Sequence, residues 1–183
     1  MNNNSYSFTT NTSAPDLTTD FIWKRDENFS FSPRQTGNPE DVFAMAKAFL
    51  SIAPMTNKKL QKLCYYAKAW YLAIYDENII FEDFQAWVHG AVQPALYRYY
   101  KPYGFSEIPM ITDIDTIPTE FLEFSKEIYR SYGELSGDEL EALNHKEDPW
   151  IKARGNKKPW ESCTTIISEE DMKTYYRMQM QNE

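Results

Sequence analysis

The sequence predicts a mainly α-helical fold, a compact multi-helix domain around one central amphipathic helix. Three observations carry that prediction. Leu60, Leu63, Cys64, Ala67, Trp70, Tyr71 and Ile74 recur at three- and four-residue spacing, which places them on one helical stripe. Helix-start signals stand ahead of apolar runs at Asn38-Pro39, Thr56, Ser136 and Ser168. Extended or β patterning is confined to short segments near 79–89 and 105–117.

Taken in order, residues 1–37 read as an N-terminal extension, either mobile or partner-binding, because the first 20 or so are rich in Asn, Ser and Thr. Within it, Phe21, Ile22, Trp23, Phe29 and Phe31 stand between charges and are too aromatic for an inert linker, so the segment either folds back over the domain or waits for a partner. Residues 38–183 read as a single helical domain that includes a C-terminal helix. Asn38 caps and Pro39 opens a short helix whose face is Val42, Met45, Ala46 and Phe49, and Pro54 stops it. Thr56 starts the central helix, which runs to about Asp76 with Lys58, Lys59, Lys62 and Lys68 on its wet side. Ile79 to Val88 alternates imperfectly and is expected to be extended; Gly90 turns the chain into a helix from about Val92 to Tyr100. Loop and short extended pieces follow until a helix after Thr119, closed by Gly133. Ser136 and Glu139 form a capping-box pattern for a helix burying Leu140 and Leu143, and the last helix presents Met172, Tyr175, Tyr176 and Met180.

Charge excludes some functions. With 19 Lys and Arg against 27 Asp and Glu, the net charge is -8, so the field of the protein repels phosphate and direct nucleic-acid binding is not expected. The exception is a local cluster, Lys152, Arg154, Lys157 and Lys158 between Trp150 and Trp160, which reads as a dock for an acidic partner or RNA or as a solvated loop. No apolar run approaches the roughly 20 residues that cross a bilayer, and the first residues do not form a secretion signal. Cys64 and Cys163 have no CxxC partner, so buried thiols in a reducing cytoplasm are expected.

Chemical motifs are scarce. The sequence has no phosphate-binding glycine loop, HExxH or GxSxG, and its six glycines are scattered. His145, Glu147 and Asp148 are the nearest local metal-type set, but they supply no closed group of ligands by spacing, and the other reading is a polar helix cap. Glu123 and Glu127 share a helix face as a solvated pair. By contrast, 13 Tyr and 5 Trp supply rigid contact area with polar tips, which favours binding over chemistry.

Lys59 to Trp70 resembles the signature helix of the Panacea domain, a phage-associated, SocA-like domain. Phe81 to Trp87, Val88-His-Gly-Ala-Val-Gln-Pro94 and Tyr100-Lys-Pro-Tyr-Gly104 follow the same pattern in order, as do Tyr132-Gly133, Ser136-Gly137, Glu139-Leu140 and His145-Lys-Glu-Asp-Pro-Trp150 with Ala153-Arg154. Two positions depart from it. Gly90-Ala91-Val92 stands where the family usually has Gly-Pro-Val, and Asn144 where a Thr commonly precedes the late histidine.

The resemblance implies a mainly helical antitoxin of a toxin-antitoxin system, with no cofactor and no enzymatic activity, that neutralises a cognate toxin by direct binding. Many such toxins inhibit translation. It marks Trp70 as core, Gly90 and Pro149 as bends, and Trp87, His89, Gly90, His145, Trp150 and Arg154 as the positions of a polar groove or of a network that fixes the domain's shape. Outside the matched blocks, Phe21, Ile22, Trp23, Phe29 and Phe31 read either as toxin anchors or as rings packed on the domain. The competing readings are an enzyme with a site at His145 and neighbouring acids, and a phage-related adaptor or scaffold.

Overall fold

Helix α1 (Asp41–Leu50) turns Val42, Met45, Ala46 and Phe49 inward, as their spacing predicts, and ends ahead of Pro54. The structure, a computed structural model, describes residues 41–181; the Asn38-Pro39 start signal and the extension 1–37 lie outside them. Strand β1 (Met55–Thr56) leads directly into α2 (Asn57–Tyr75), where the Thr56 hydroxyl accepts the Lys59 N–H at 3.3 Å and caps the helix. The helix ends at Asp76, which takes the left-handed conformation (φ 61°) and returns its N–H to the Leu72 carbonyl.

From there the chain forms a two-strand hairpin, β2 (Gln85–Trp87) and β3 (Gly90–Val92), turned at Val88-His89, and then α3 (Pro94–Tyr100). The helix expected from Val92 therefore starts later. Val92 is still paired with Gln85 in the hairpin, and Gln93 serves as the cap, its side chain accepting the Leu96 N–H at 2.7 Å. Strand β4 (Glu107–Ile108) pairs antiparallel with β1. Helices α4 (Thr119–Tyr132), α5 (Gly137–Asn144), α6 (Asp148–Arg154) and α7 (Glu169–Gln181) complete the described fold. The capping box forms as expected, Ser136 and Glu139 each receiving the other's N–H. Among the described residues no helix is long and apolar enough to cross a membrane.

Helix α2 is the axis of this architecture: it packs against α1, α3, α4, α5 and α7, and every residue from Leu60 to Ala73 is buried. Lys62 and Lys68, expected on its wet side, are 1 % and 0 % exposed. A helix enclosed all round has no wet side, so both ammonium groups are satisfied internally instead. Lys68 donates to the Glu82 carbonyl at 3.0 Å and pairs with Glu169 at 2.6 Å, joining α2 to the segment before β2 and to α7.

Aromatic rings fill the space between α2, α4 and α7. Tyr66 stacks on Tyr132 with centroids 4.2 Å apart, and Trp70 lies 4.9 Å from Tyr176 while its indole N–H donates to the Tyr132 hydroxyl at 2.8 Å. Truncating Trp70 or Leu63 to Ala is expected to cost about 2–5 kcal/mol, through lost transfer energy and the cavity left behind. Chemical denaturation of the two variants checks this, and wild-type stability in both would remove α2 from the centre of the fold.

Candidate functional site

The Lys62 side chain, on the face of α2 that the sequence marks as wet, is enclosed by the β2–β3 hairpin. Its ammonium donates to the carbonyls of His89 and Ala91, the latter at 3.0 Å, and so holds the β2–β3 turn from beneath. Gly90 makes that approach possible. Its φ is +87°, and a Cβ there would stand 2.7 Å from Lys62 Nζ and 2.8 Å from Asn144 Oδ1. Burial pushes the Lys62 amine down to about 7, against the raising effect of nearby Glu141.

Asn144, at the end of α5, continues the frame. Its Oδ1 accepts the Ala91 N–H at 2.7 Å and its Nδ2 donates to Glu147 at 3.0 Å. Both Glu147 oxygens are further engaged, by the hydroxyls of Tyr66 (3.2 Å) and Tyr176 (2.9 Å). Burial raises the Glu147 carboxyl to about 7, although these three hydrogen bonds favour its charged form. A parallel chain fixes the other end of the hairpin: Asn57 binds the Tyr97 carbonyl, Gln61 binds Asn57, and Gln61 accepts the Gln93 N–H at 2.9 Å.

The positions marked by the family resemblance surround this hairpin. Trp150, on α6, donates its indole N–H to the Trp87 carbonyl at 3.1 Å and stacks on His145 with centroids 4.2 Å apart. Arg154 lies 5.0 Å from the Trp150 ring and is 5 % exposed. It donates to the carbonyls of Ala86 (3.2 Å), Lys158 (2.8 Å) and Glu161 (2.8 Å), tying β2 to the loop after α6. Gly90, Trp150 and Arg154 are thus interior, whereas the His89 side chain is exposed and pairs with Glu141 at 2.9 Å. Lys58 joins Glu141 and Asp138, each at 2.7 Å. Burial lowers the His145 imidazole below its ordinary 6.5.

Two sequence readings change. Residues 152–158 are not a uniform solvated cluster: Arg154 is buried and Lys152 pairs with Asp171 at 2.8 Å, while Trp160 is exposed beside Lys158. Glu147 is not a polar cap open to solvent or to a metal, because its oxygens are taken up within the core. Among the described residues no group of three or more His, Cys, Asp and Glu is placed to hold a metal ion. Phe21, Ile22, Trp23, Phe29 and Phe31 lie outside the described residues. Lys62, Asn144 and Glu147 were not singled out as one unit from the sequence. No local signal marks them, because the contacts of all three are set by tertiary packing.

This arrangement defines a helical scaffold in which buried polar side chains hold a hairpin and a loop in place. The chain belongs to the family described as antitoxin SocA-like, Panacea domain, whose profile matches residues 60–151, half of the sequence. It is similar to Antitoxin SocA of Caulobacter vibrioides (strain NA1000 / CB15N), with 26 % identity over 138 residues that cover 64 % of this chain and 73 % of that protein. No solved structure matches. Lys62, Gly90, Asn144, Glu147 and Trp150 all fall inside the family match.

The two departures from the family pattern meet in space. Proline has no N–H, whereas Ala91 has one, and Asn144 supplies its acceptor. Asn144→Thr alone is expected to cost about 1–3 kcal/mol by stranding buried polar groups. Ala91→Pro alone presses a ring carbon against the Asn144 oxygen, and the double variant should cost less than the sum. A coupling of about 1 kcal/mol or more in a denaturation double-mutant cycle is expected, and additivity would make the two departures independent.

Glu147 also gives stability a pH dependence. Its folded value of about 7 lies above its ordinary 4.5, so between these limits the folded state binds more protons and stability falls as pH rises. Urea denaturation at pH 5 and pH 7 should show a smaller loss across that interval for Glu147→Gln than for the wild type. Equal losses would show that the carboxyl keeps its ordinary proton affinity.

Proposed function

We propose that this chain is an antitoxin that neutralises a cognate toxin by direct protein–protein contact, and that the toxin is an inhibitor of translation. The observation that carries this reading is the family match over residues 60–151, which coincides with the span containing Lys62, Gly90, Asn144, Glu147 and Trp150. A matching relative is itself an antitoxin by name. The chemistry is compatible: a net charge of -8 suits a toxin whose cationic surface grips RNA or nucleotide, and such complementarity speeds encounter.

On this reading the buried frame gives shape and the outer surface gives recognition, with no turnover by the antitoxin. Phe21, Ile22, Trp23, Phe29 and Phe31 form a recognition arm, with Lys24, Arg25, Asp26 and Glu27 selecting the pairing. Buried aromatic anchors of this kind cost about 2 kcal/mol or more when truncated.

The test is co-expression with each small reading frame that flanks the gene. One product should arrest growth and protein synthesis, measured as amino-acid incorporation. The antitoxin should restore both in proportion to its amount and co-purify with that product as a complex of fixed stoichiometry. Rescue without a complex would overturn direct neutralisation, and arrest with undiminished incorporation would overturn translation as the target. Deletion of residues 1–37 should leave the domain folded by circular dichroism and weaken the complex; unchanged affinity would exclude the arm.

A further inference from the structure

The stretch from Pro102 to Ser125 contains no Lys, Arg or His, while it holds Glu107, Asp113, Asp115, Glu120 and Glu123. Within it four large hydrophobic side chains face solvent: Phe105 is fully exposed, Met110 is 50 % exposed, Ile114 41 % and Tyr103, with its polar hydroxyl, 40 %. Glu107, Asp113, Asp115 and Glu123 are exposed as well. A long loop of this composition ordinarily buries its apolar residues or replaces them with polar ones.

This loop is pinned at intervals. Ile108 and Ile117 are buried, β4 pairs with β1, the Ile111 N–H donates to the Leu50 carbonyl at 3.0 Å, and the Ile117 N–H returns to the Ile114 carbonyl at 2.9 Å. Pro109 and Pro118 further restrict the backbone. The inward isoleucines serve the fold; the outward Phe105, Met110 and Ile114 make no comparable contribution to it. Holding apolar anchors in place before a partner arrives lowers the entropy cost of binding.

Resting on the antitoxin reading above, we infer that Phe105, Met110 and Ile114, with the carboxylates of Glu107, Asp113 and Asp115, form a toxin-docking surface. Charge complementarity selects the occupant: an apolar recess on the toxin rimmed by Lys and Arg, the surface with which such a protein would otherwise grip phosphate. A nucleic acid is disfavoured by the same carboxylates. The surface works alongside the proposed N-terminal arm and lies on the folded domain itself.

The probe is the flanking-gene product that the full-length chain neutralises, and binding is followed by surface-plasmon kinetics over a range of salt. Phe105→Ala/Met110→Ala/Ile114→Ala removes exposed side chains, so melting temperature should be retained while affinity falls about thirtyfold, mainly through faster dissociation. Glu107→Gln/Asp113→Asn/Asp115→Asn should slow association and flatten its salt dependence. Trp160→Ala, an exposed aromatic elsewhere, should bind as the wild type does. Should the apolar variant fail to fold, the charge variant decides the matter by itself.

Wild-type kinetics in both variants would overturn the inference while leaving the antitoxin reading intact. Failure of the unaltered chain to bind any flanking product would remove the reading and the inference together. If a second copy of this chain or residues 1–37 occupied the surface instead, the apolar variant would change sedimentation or hydrogen exchange of the free protein and leave toxin affinity untouched, which also overturns the proposal.

Discussion

An ammonium group inside a protein is costly unless hydrogen bonds replace its water, and that constraint organises this molecule around Lys62. The side chain reaches from the central helix to two carbonyls of the hairpin turn, those of His89 and Ala91. Both carbonyls can face the lysine only if the residue between them turns with positive φ and carries no Cβ, which is the role of Gly90. Turning the hairpin this way leaves the Ala91 N–H facing inward, where Asn144 receives it. Asn144 then requires a partner for its amide, and Glu147 provides one. Each satisfied group thus creates the need for the next, until the chain of contacts ends on the hydroxyls of Tyr66 and Tyr176 in the aromatic core.

A frame of this kind differs from an apolar core in how it fails. Apolar packing tolerates small shifts, whereas a slip of the hairpin by one residue would strand several buried donors and acceptors at once. Arg154 applies the same principle on the far side of the hairpin, where one buried guanidinium collects carbonyls from β2 and from the loop after α6. The net effect is a fixed disposition of α5, α6 and the hairpin around α2.

The parts of this structure legible in the sequence are those fixed by local rules. The Thr56 cap, the Ser136–Glu139 box, the apolar faces of α1, α2 and α7 and the stop at Gly133 follow from neighbouring residues alone. What local rules cannot see is a polar residue that becomes buried because something distant arrives to bind it. Lys62 and Lys68 look like the wet face of an amphipathic helix until α7 and the hairpin close over them. Glu147 and Arg154 likewise sit among charges that suggest a solvated cap and a basic loop, yet their partners are 81 and 68 residues away, at Tyr66 and Ala86. Helix α6, only seven residues long with Pro149 in its first turn, carries too little periodicity for the sequence to mark it as a helix.

The pairing of Ala91 with Asn144 shows how such a frame can vary without breaking. A proline at 91 needs no acceptor and an alanine does, so a change at one position is tolerable when the other changes with it. Removing the Asn144 acceptor while Ala91 keeps its N–H strands that buried donor. The outward side chains of 102–125 are under no such rule: Phe105, Met110 and Ile114 satisfy no hydrogen bond of the core, and their replacement leaves the frame intact. Interior and surface are therefore separable: side chains that face solvent can change one at a time while the buried frame keeps its geometry.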